Sequence, residues 1–124
     1  MNVYWLIGFF FLHWVGDFVC QFRWLADNKS KNFFALLLHG AIYTLVLALG
    51  TILIVPESTP LYEDPWMIWL GVNCFLHILI DFFSSRTTAK LQADGKTYAF
   101  FTVIGLDQFL HIASILATTR IFLS

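Results

Sequence analysis

Four apolar stretches, separated by three runs of polar or turn-forming residues, constrain this chain more than any other feature. They cover residues 2–22, 33–55, 66–84 and 98–122. A helix needs about 20 predominantly apolar residues to cross a bilayer, and each stretch meets that length. The interruptions have local causes. "RWLADNKSKN" (23–32) is polar and charged, "PESTPLYEDP" (56–65) carries three prolines and three acids, and "SSRTTAKLQADGKT" (84–97) is polar with Gly95 as a turn residue. The stretches are rich in Leu, Ile, Phe and Trp on all sides, as for helices surrounded by lipid rather than water. Trp5, Trp24, Tyr62, Trp66 and Trp69 fall near their ends, where aromatic belts form.

The predicted fold is therefore all-α: a polytopic membrane protein whose single domain, 1–124, is a four-transmembrane-helix up-down bundle. Composition agrees, with 59% hydrophobic and only 12% charged residues and a mean hydropathy of +0.75. The lipid bilayer is the expected partner. A net charge of −1 without a basic tail argues against nucleic acid. Cys20 and Cys74 both sit inside apolar stretches, so no disulfide framework is expected. The first stretch lacks a basic leader and a small-residue cleavage site and carries Asp17, so it reads as a retained helix rather than a signal peptide.

Lys and Arg counts in short loops set the orientation of such a chain. Arg23, Lys29, Lys31, Arg86, Lys90 and Lys96 lie in the first and third links, whereas the second holds only Glu57, Glu63 and Asp64. The expectation is an inner-membrane protein with the two basic loops cytoplasmic and both termini outside. An "NKS" sequon at 28–30 then lies on the wrong side for glycosylation.

The apolar stretches carry an unexpected set of polar residues. All four histidines are in them, as are three of the six aspartates. His13 and Asp17, His77 and Asp81, and Asp107 and His111 are each four residues apart, hence on one helical face about 40° apart. His39 marks the remaining stretch. Counted inward from the basic loops, these residues converge in one half of the bundle. An Asp near a helix centre costs about 2.5–3.5 kcal/mol on insertion scales, so such faces turn toward the bundle interior. Gln21, Asn73, Tyr43 and Gln108 extend the same faces, and Ser84 and Ser85 sit at the mouth.

Imidazole with carboxylate suits Zn, Fe or Mn, and a ligating His commonly donates its second N–H to a carboxylate. The candidate metal ligands are His39, His77, Asp81, Asp107 and His111, with Asp17 beside them. His13, Asp17, Gln21 and Gln108 are candidate catalytic residues for metal-assisted hydrolysis of a lipid-like substrate. Lys29, Asn73 and Tyr43 are candidates for binding that substrate. Other readings stay open: a proton or ion path along the His/Asp chain, a purely structural hydrogen-bonded network, or haem between two histidines. The spacing matches neither H-E-x-x-H nor the E-x-x-H pairs of di-iron bundles. A homodimer is a further open alternative, since a bundle this small encloses little space.

The blocks "HWVGDFVCQFRWLADNKSK", "LLLHGAIY", "NCFLHILIDFFSSRTTAK" and "LDQFLH" appear in that order. Together they resemble a family of small prokaryotic and phage integral membrane proteins classed only as a domain of unknown function. The resemblance covers nearly the whole chain. It implies a polytopic membrane protein whose polar motif residues are His13, Asp17, Gln21, Lys29, His39, His77, Asp81, Asp107, Gln108 and His111. It implies no reaction. A looser similarity to membrane-bound metal-dependent hydrolases lacks their adjacent His pairs.

Overall fold

In the computed structural model, which describes residues 2–56 and 58–123, the described residues are helical and connected by short links. Glu57, one of the acids of the second link, lies outside them. The elements are α1 (Val3–Trp14) continued by a π-helical turn (Val15–Val19), α2 (Arg23–Asn28), α3 (Phe33–Ile54), α4 (Asp64–Ala93) and α5 (Thr97–Phe122). The long helices form a closed ring: α1 packs on α3, α3 on α4, α4 on α5, and α5 returns to α1. The short α2 lies against α3 through Leu25, which is fully buried.

Local sequence explains most boundaries. Asn2 and Asn32 cap α1 and α3, their side-chain oxygens accepting from the Tyr4 and Phe34 N–H groups at 2.9 Å. Pro65 stands in the first turn of α4, where its missing N–H costs nothing. The α4–α5 turn closes on Gly95, at φ 67°, with Lys96 N–H donating to Leu91 C=O and Gly95 N–H to Gln92 C=O. This is a Schellman ending, and it needs the left-handed backbone that glycine adopts without strain.

Two boundaries differ from the hydropathy reading. The first helix does not run to residue 22. It loosens at Val15 into a π turn closed by Cys20 N–H to Val15 C=O (2.8 Å), and the backbone is extended by Phe22. Gly16 within that turn rests against Tyr43 of α3, where an added Cβ would lie 3.0 Å from the ring. The third link, in turn, is mostly helix. Residues 84–93 are polar but hold no Gly or Pro, and Ala, Lys, Leu and Gln are good helix formers. Thr87 and Thr88 direct their hydroxyls back to the Phe83 and Ser84 carbonyls, so α4 continues to Ala93 and leaves a tight turn.

Three helices (α3, α4 and α5) are long and apolar enough to cross a membrane, and Val3–Val19 is a shorter apolar helix. The side-chain distribution is inverted relative to a water-soluble bundle. Phe11, Leu49, Leu53, Phe75, Phe101 and Phe109 face outward and are more than half exposed, while all four histidines and the three span aspartates are buried. A soluble monomer rarely exposes so continuous an apolar surface.

Candidate functional site

The polar residues that the ring encloses come from all four long helices. The π turn offers Asp17, α3 offers His39, α4 offers His77 and Asp81, and α5 offers Asp107, Gln108 and His111. His13 enters from the last turn of α1. None of the histidines, nor Asp17 or Asp81, is more than 4% exposed, so the solvation they lose must be replaced within the cluster.

The tightest grouping surrounds the Nε2 atom of His39. It lies 3.1 Å from Asp17 Oδ1, 3.1 Å from Asp81 Oδ2 and 3.1 Å from His77 Nε2. His77 Nε2 is in turn 3.7 Å from Asp17 Oδ1 and 3.9 Å from Asp81 Oδ2. A single proton on His39 Nε2 can serve only one of three acceptors. A regular tetrahedron with bonds of about 2.0–2.1 Å to its centre has edges of about 3.3–3.4 Å, which falls within the observed spread. One donor atom from each of Asp17, His39, His77 and Asp81 lies within 4.8 Å of the others, so these four could hold a metal ion. The Nδ1 atoms of His39 and His77 have no hydrogen-bond partner among the described residues. Packing fixes the His77 ring instead: the Tyr43 ring stacks on it at 3.7 Å with planes 4° apart.

Around this core the remaining groups are hydrogen-bonded in a consistent sense. The Gln108 amide N–H donates to Asp17 Oδ2 (3.0 Å) and Asp107 Oδ2 (2.8 Å). Its carbonyl therefore faces His13 Nε2 at 3.1 Å, which makes that nitrogen the donor and leaves His13 Nδ1 to accept from the Tyr43 hydroxyl at 3.4 Å. Ser84 donates to Asp107 Oδ1. His111 Nδ1 donates to its own-helix carbonyl at Asp107 (2.9 Å), while its Nε2 stands 3.5 Å from Asp81 Oδ1.

Lys29, from the link between α2 and α3, reaches 2.9 Å from Asp81 Oδ2. Burial alone would lower its pKa, but the adjacent Asp81 and Asp17 carboxylates outweigh that and hold it above the usual value. The ammonium therefore stays charged and offsets one of the three buried carboxylates.

A cavity of about 760 Å³ opens beside the cluster, bounded by the 21–31 segment, the last turns of α4 and the first half of α5. Asp17, Gln21, Lys29, Ser84, Asp107 and Gln108 reach its wall. Gln21 Oε1 and Ser85 Oγ are buried there without partners among the described residues. The structure thus gathers His13, Asp17, Gln21, Lys29, Tyr43, His39, His77, Asp81, Asp107, Gln108 and His111 into one region. Asn73 is set apart: its amide N–H donates to Trp69 C=O and Thr118 Oγ1, and it does not line the cavity.

Two features escaped the linear reading. The shortest His–carboxylate contacts run between helices rather than along them: Asp17 is 3.1 Å from His39 and 3.8 Å from His13. Thr118 and Thr119, which hold Asn73 and the Trp69 indole N–H, continue the α5 face that starts at Asp107 and His111. Extending that row by two further turns would have found them.

An all-helical chain with membrane-length helices and an enclosed His/Asp cluster defines the class. Residues 5–124 match the family described as protein of unknown function (DUF3307), and the chain belongs to it. No curated protein and no solved structure matches the chain.

Proposed function

We propose that this is a four-span inner-membrane metalloprotein that hydrolyses a lipid-like substrate at a divalent-metal centre. The observation that carries the reading is the convergence of His39 Nε2, His77 Nε2, Asp17 Oδ1 and Asp81 Oδ2 at coordination-sphere spacing in a buried site. Charge supports it. With the imidazoles neutral, three carboxylates and the Lys29 ammonium leave two negative charges, which one divalent ion balances. Four N/O donors near tetrahedral spacing favour zinc over iron or manganese.

The cavity supplies the remainder of the reading. Six of the seven Lys and Arg residues belong to the two links at its end of the bundle, and the positive-inside rule supports reading that end as cytoplasmic. The α4 helix, at 30 residues, is about 45 Å long, against a hydrocarbon core of about 30 Å. Its polar last turns therefore stand in the headgroup layer and wall the cavity there. A substrate arriving from the membrane enters a cavity walled by Lys31 and by Lys29, whose ammonium is already paired with Asp81 of the His/Asp cluster. Hydrolysis consumes one water: its oxygen bonds to the acyl or phosphoryl centre, the ester bond breaks, and the proton passes to the leaving oxygen. Gln108, held by His13 and the two carboxylates, positions the reacting groups at the cavity wall.

The test is metal content, by elemental mass spectrometry, of protein purified in detergent without chelator or a histidine tag. At least one metal per chain is expected, lost in His39→Ala and in His77→Ala. Metal-free wild-type protein would overturn the assignment. Vesicles of phosphatidylethanolamine and phosphatidylglycerol, analysed for cleaved lipid with and without chelator, test the reaction.

A further inference from the structure

The metal-centre reading accounts for one oxygen of Asp81 and leaves the other directed at a different histidine. Asp81 Oδ2 belongs to the His39/His77 group, whereas Oδ1 faces His111 Nε2 at 3.5 Å. The tautomer of the neutral His111 ring is set by its other contact. Its Nδ1 lies 2.9 Å from the Asp107 backbone carbonyl, which only accepts, so Nδ1 carries the hydrogen and Nε2 of the neutral ring is a lone pair. That Nε2 is buried and has no hydrogen-bond partner among the described residues, and the residue is 2% exposed.

Two lone-pair atoms facing each other in a buried site repel unless a positive charge lies between them. A proton fits poorly, because a charged imidazole–carboxylate hydrogen bond closes to about 2.7–2.9 Å. A metal ion fits well, since 3.5 Å is close to the tetrahedral edge of about 3.3–3.4 Å. The backbone acceptor at His111 Nδ1 is also the outer contact that commonly orients a metal-ligating imidazole. A donor atom from each of Asp81, Asp107 and His111 lies within 4.8 Å of the other two. Ser84 and Gln108 hold the two Asp107 oxygens in place.

We propose that the cluster is a two-cation centre, with a second divalent ion bound by His111, Asp107 and Asp81 and joined to the first through the Asp81 carboxylate. This rests on the first site being a metal site, and it divides the labour between the two. The His39/His77 site has four protein donors and is closed, as structural sites are. The second has three and borders the cavity through Asp107, so it offers the open position that water or a substrate oxygen needs. The first ion already balances the local carboxylates. The second brings surplus positive charge, binds more weakly, and draws an anionic group of the substrate into the cavity.

The experiment loads chelator-stripped full-length protein in detergent with zinc alone and counts bound metal as free zinc is raised. Wild type is expected to fill in two steps to two zinc per chain, and His111→Ala to stop at one. Saturation of the wild type at one, or two zinc retained in His111→Ala, overturns the second site while leaving the first. Wild type that binds none overturns the metal reading altogether. Manganese-loaded wild type, which does not depend on a variant folding, is expected to give the multiline paramagnetic resonance spectrum of an exchange-coupled pair. An isolated-ion spectrum there also overturns the proposal.

Discussion

The two ends of this bundle are built from the same helices and held by opposite means. At the far end from the cavity, α1, α4 and α5 meet through rings and aliphatic side chains. Phe9 lies 4.8 Å from Trp69, Trp5 lies 5.8 Å from Trp66, and Leu47, Val55 and Ile115 fill the space between. The buried polar groups there are few and uncharged: the indole N–H of Trp69 donates to Thr119 and the Asn73 amide to Thr118. At the cavity end the same helices meet through carboxylates, imidazoles and one ammonium. Lipid offers apolar side chains almost as good a home as a protein core does, so packing alone gives modest specificity in a membrane. Buried charges have no such alternative. The comparison teaches that the apolar end sets how tightly the helices approach, whereas the polar end sets which helices must be present.

That contrast can be broken from either side. The largest effect is expected for Asp81→Ala, which removes the one carboxylate touching His39, His77, His111 and Lys29. Breaking a buried ion pair from one side costs about 3–5 kcal/mol. Detergent unfolding curves should show that loss together with loss of all bound metal. Phe9→Ala at the other end, where the side chain is fully buried, should cost about 3 kcal/mol by leaving a cavity, yet metal content should be unchanged. If metal falls in step with stability in Phe9→Ala, the two ends are not independent.

Chelation sharpens the comparison. A ligand present at a hundred times its dissociation constant stabilises by about 2.7 kcal/mol. Stripping metal from the wild type should lower its stability by a similar amount and leave Asp81→Ala unaffected, as thermal melts with and without chelator would show. Gly50→Ala should have a smaller effect. A Cβ there would sit 2.1 Å from the end of the Leu12 side chain, forcing a rotamer change worth about 1–2 kcal/mol, again without metal loss. The smallest change is expected for Thr118→Val, near-isosteric, which gives up one acceptor of the Asn73 amide while its bond to Trp69 C=O remains, about 1 kcal/mol in the same unfolding curves.

The sequence made the helices and the polar faces legible because both are periodic. α3 and α5 begin and end within a residue of the apolar stretches at 33–55 and 98–122. The i,i+4 placement of His77 with Asp81 and of Asp107 with His111 did point them into one enclosed region. What hydropathy could not show is where a helix goes on after the apolar residues stop, because it measures preference for lipid and not for helix; residues 84–93 are the case in point. Nor could spacing show partners across helices. Asp17 is on the same turn-to-turn row as His13, but its shortest imidazole contact is with His39. Which of two candidates wins depends on helix rotation and separation, and those are set by contacts such as Gly16 against Tyr43 that no local pattern encodes. Asn73 shows the opposite limit: its row pointed correctly inward, but inward at its level is the Trp69–Thr118 contact and not the cavity.

The π turn at Val15–Val19 is where the first helix gives up its regular winding. Bonding i→i+5 takes up one more residue than an α turn, and the chain leaves the helix directly afterwards, at Cys20. Asp17 lies inside that wider turn, whereas His13 belongs to the last turn of α1. The histidine is therefore carried by the part of the helix that packs through Phe9 and Leu12 at the apolar end, and the aspartate by the looser turn that ends it, from which it reaches His39 at 3.1 Å. One widened turn thus works as a joint between the stretch that packs and the residue that serves the cluster.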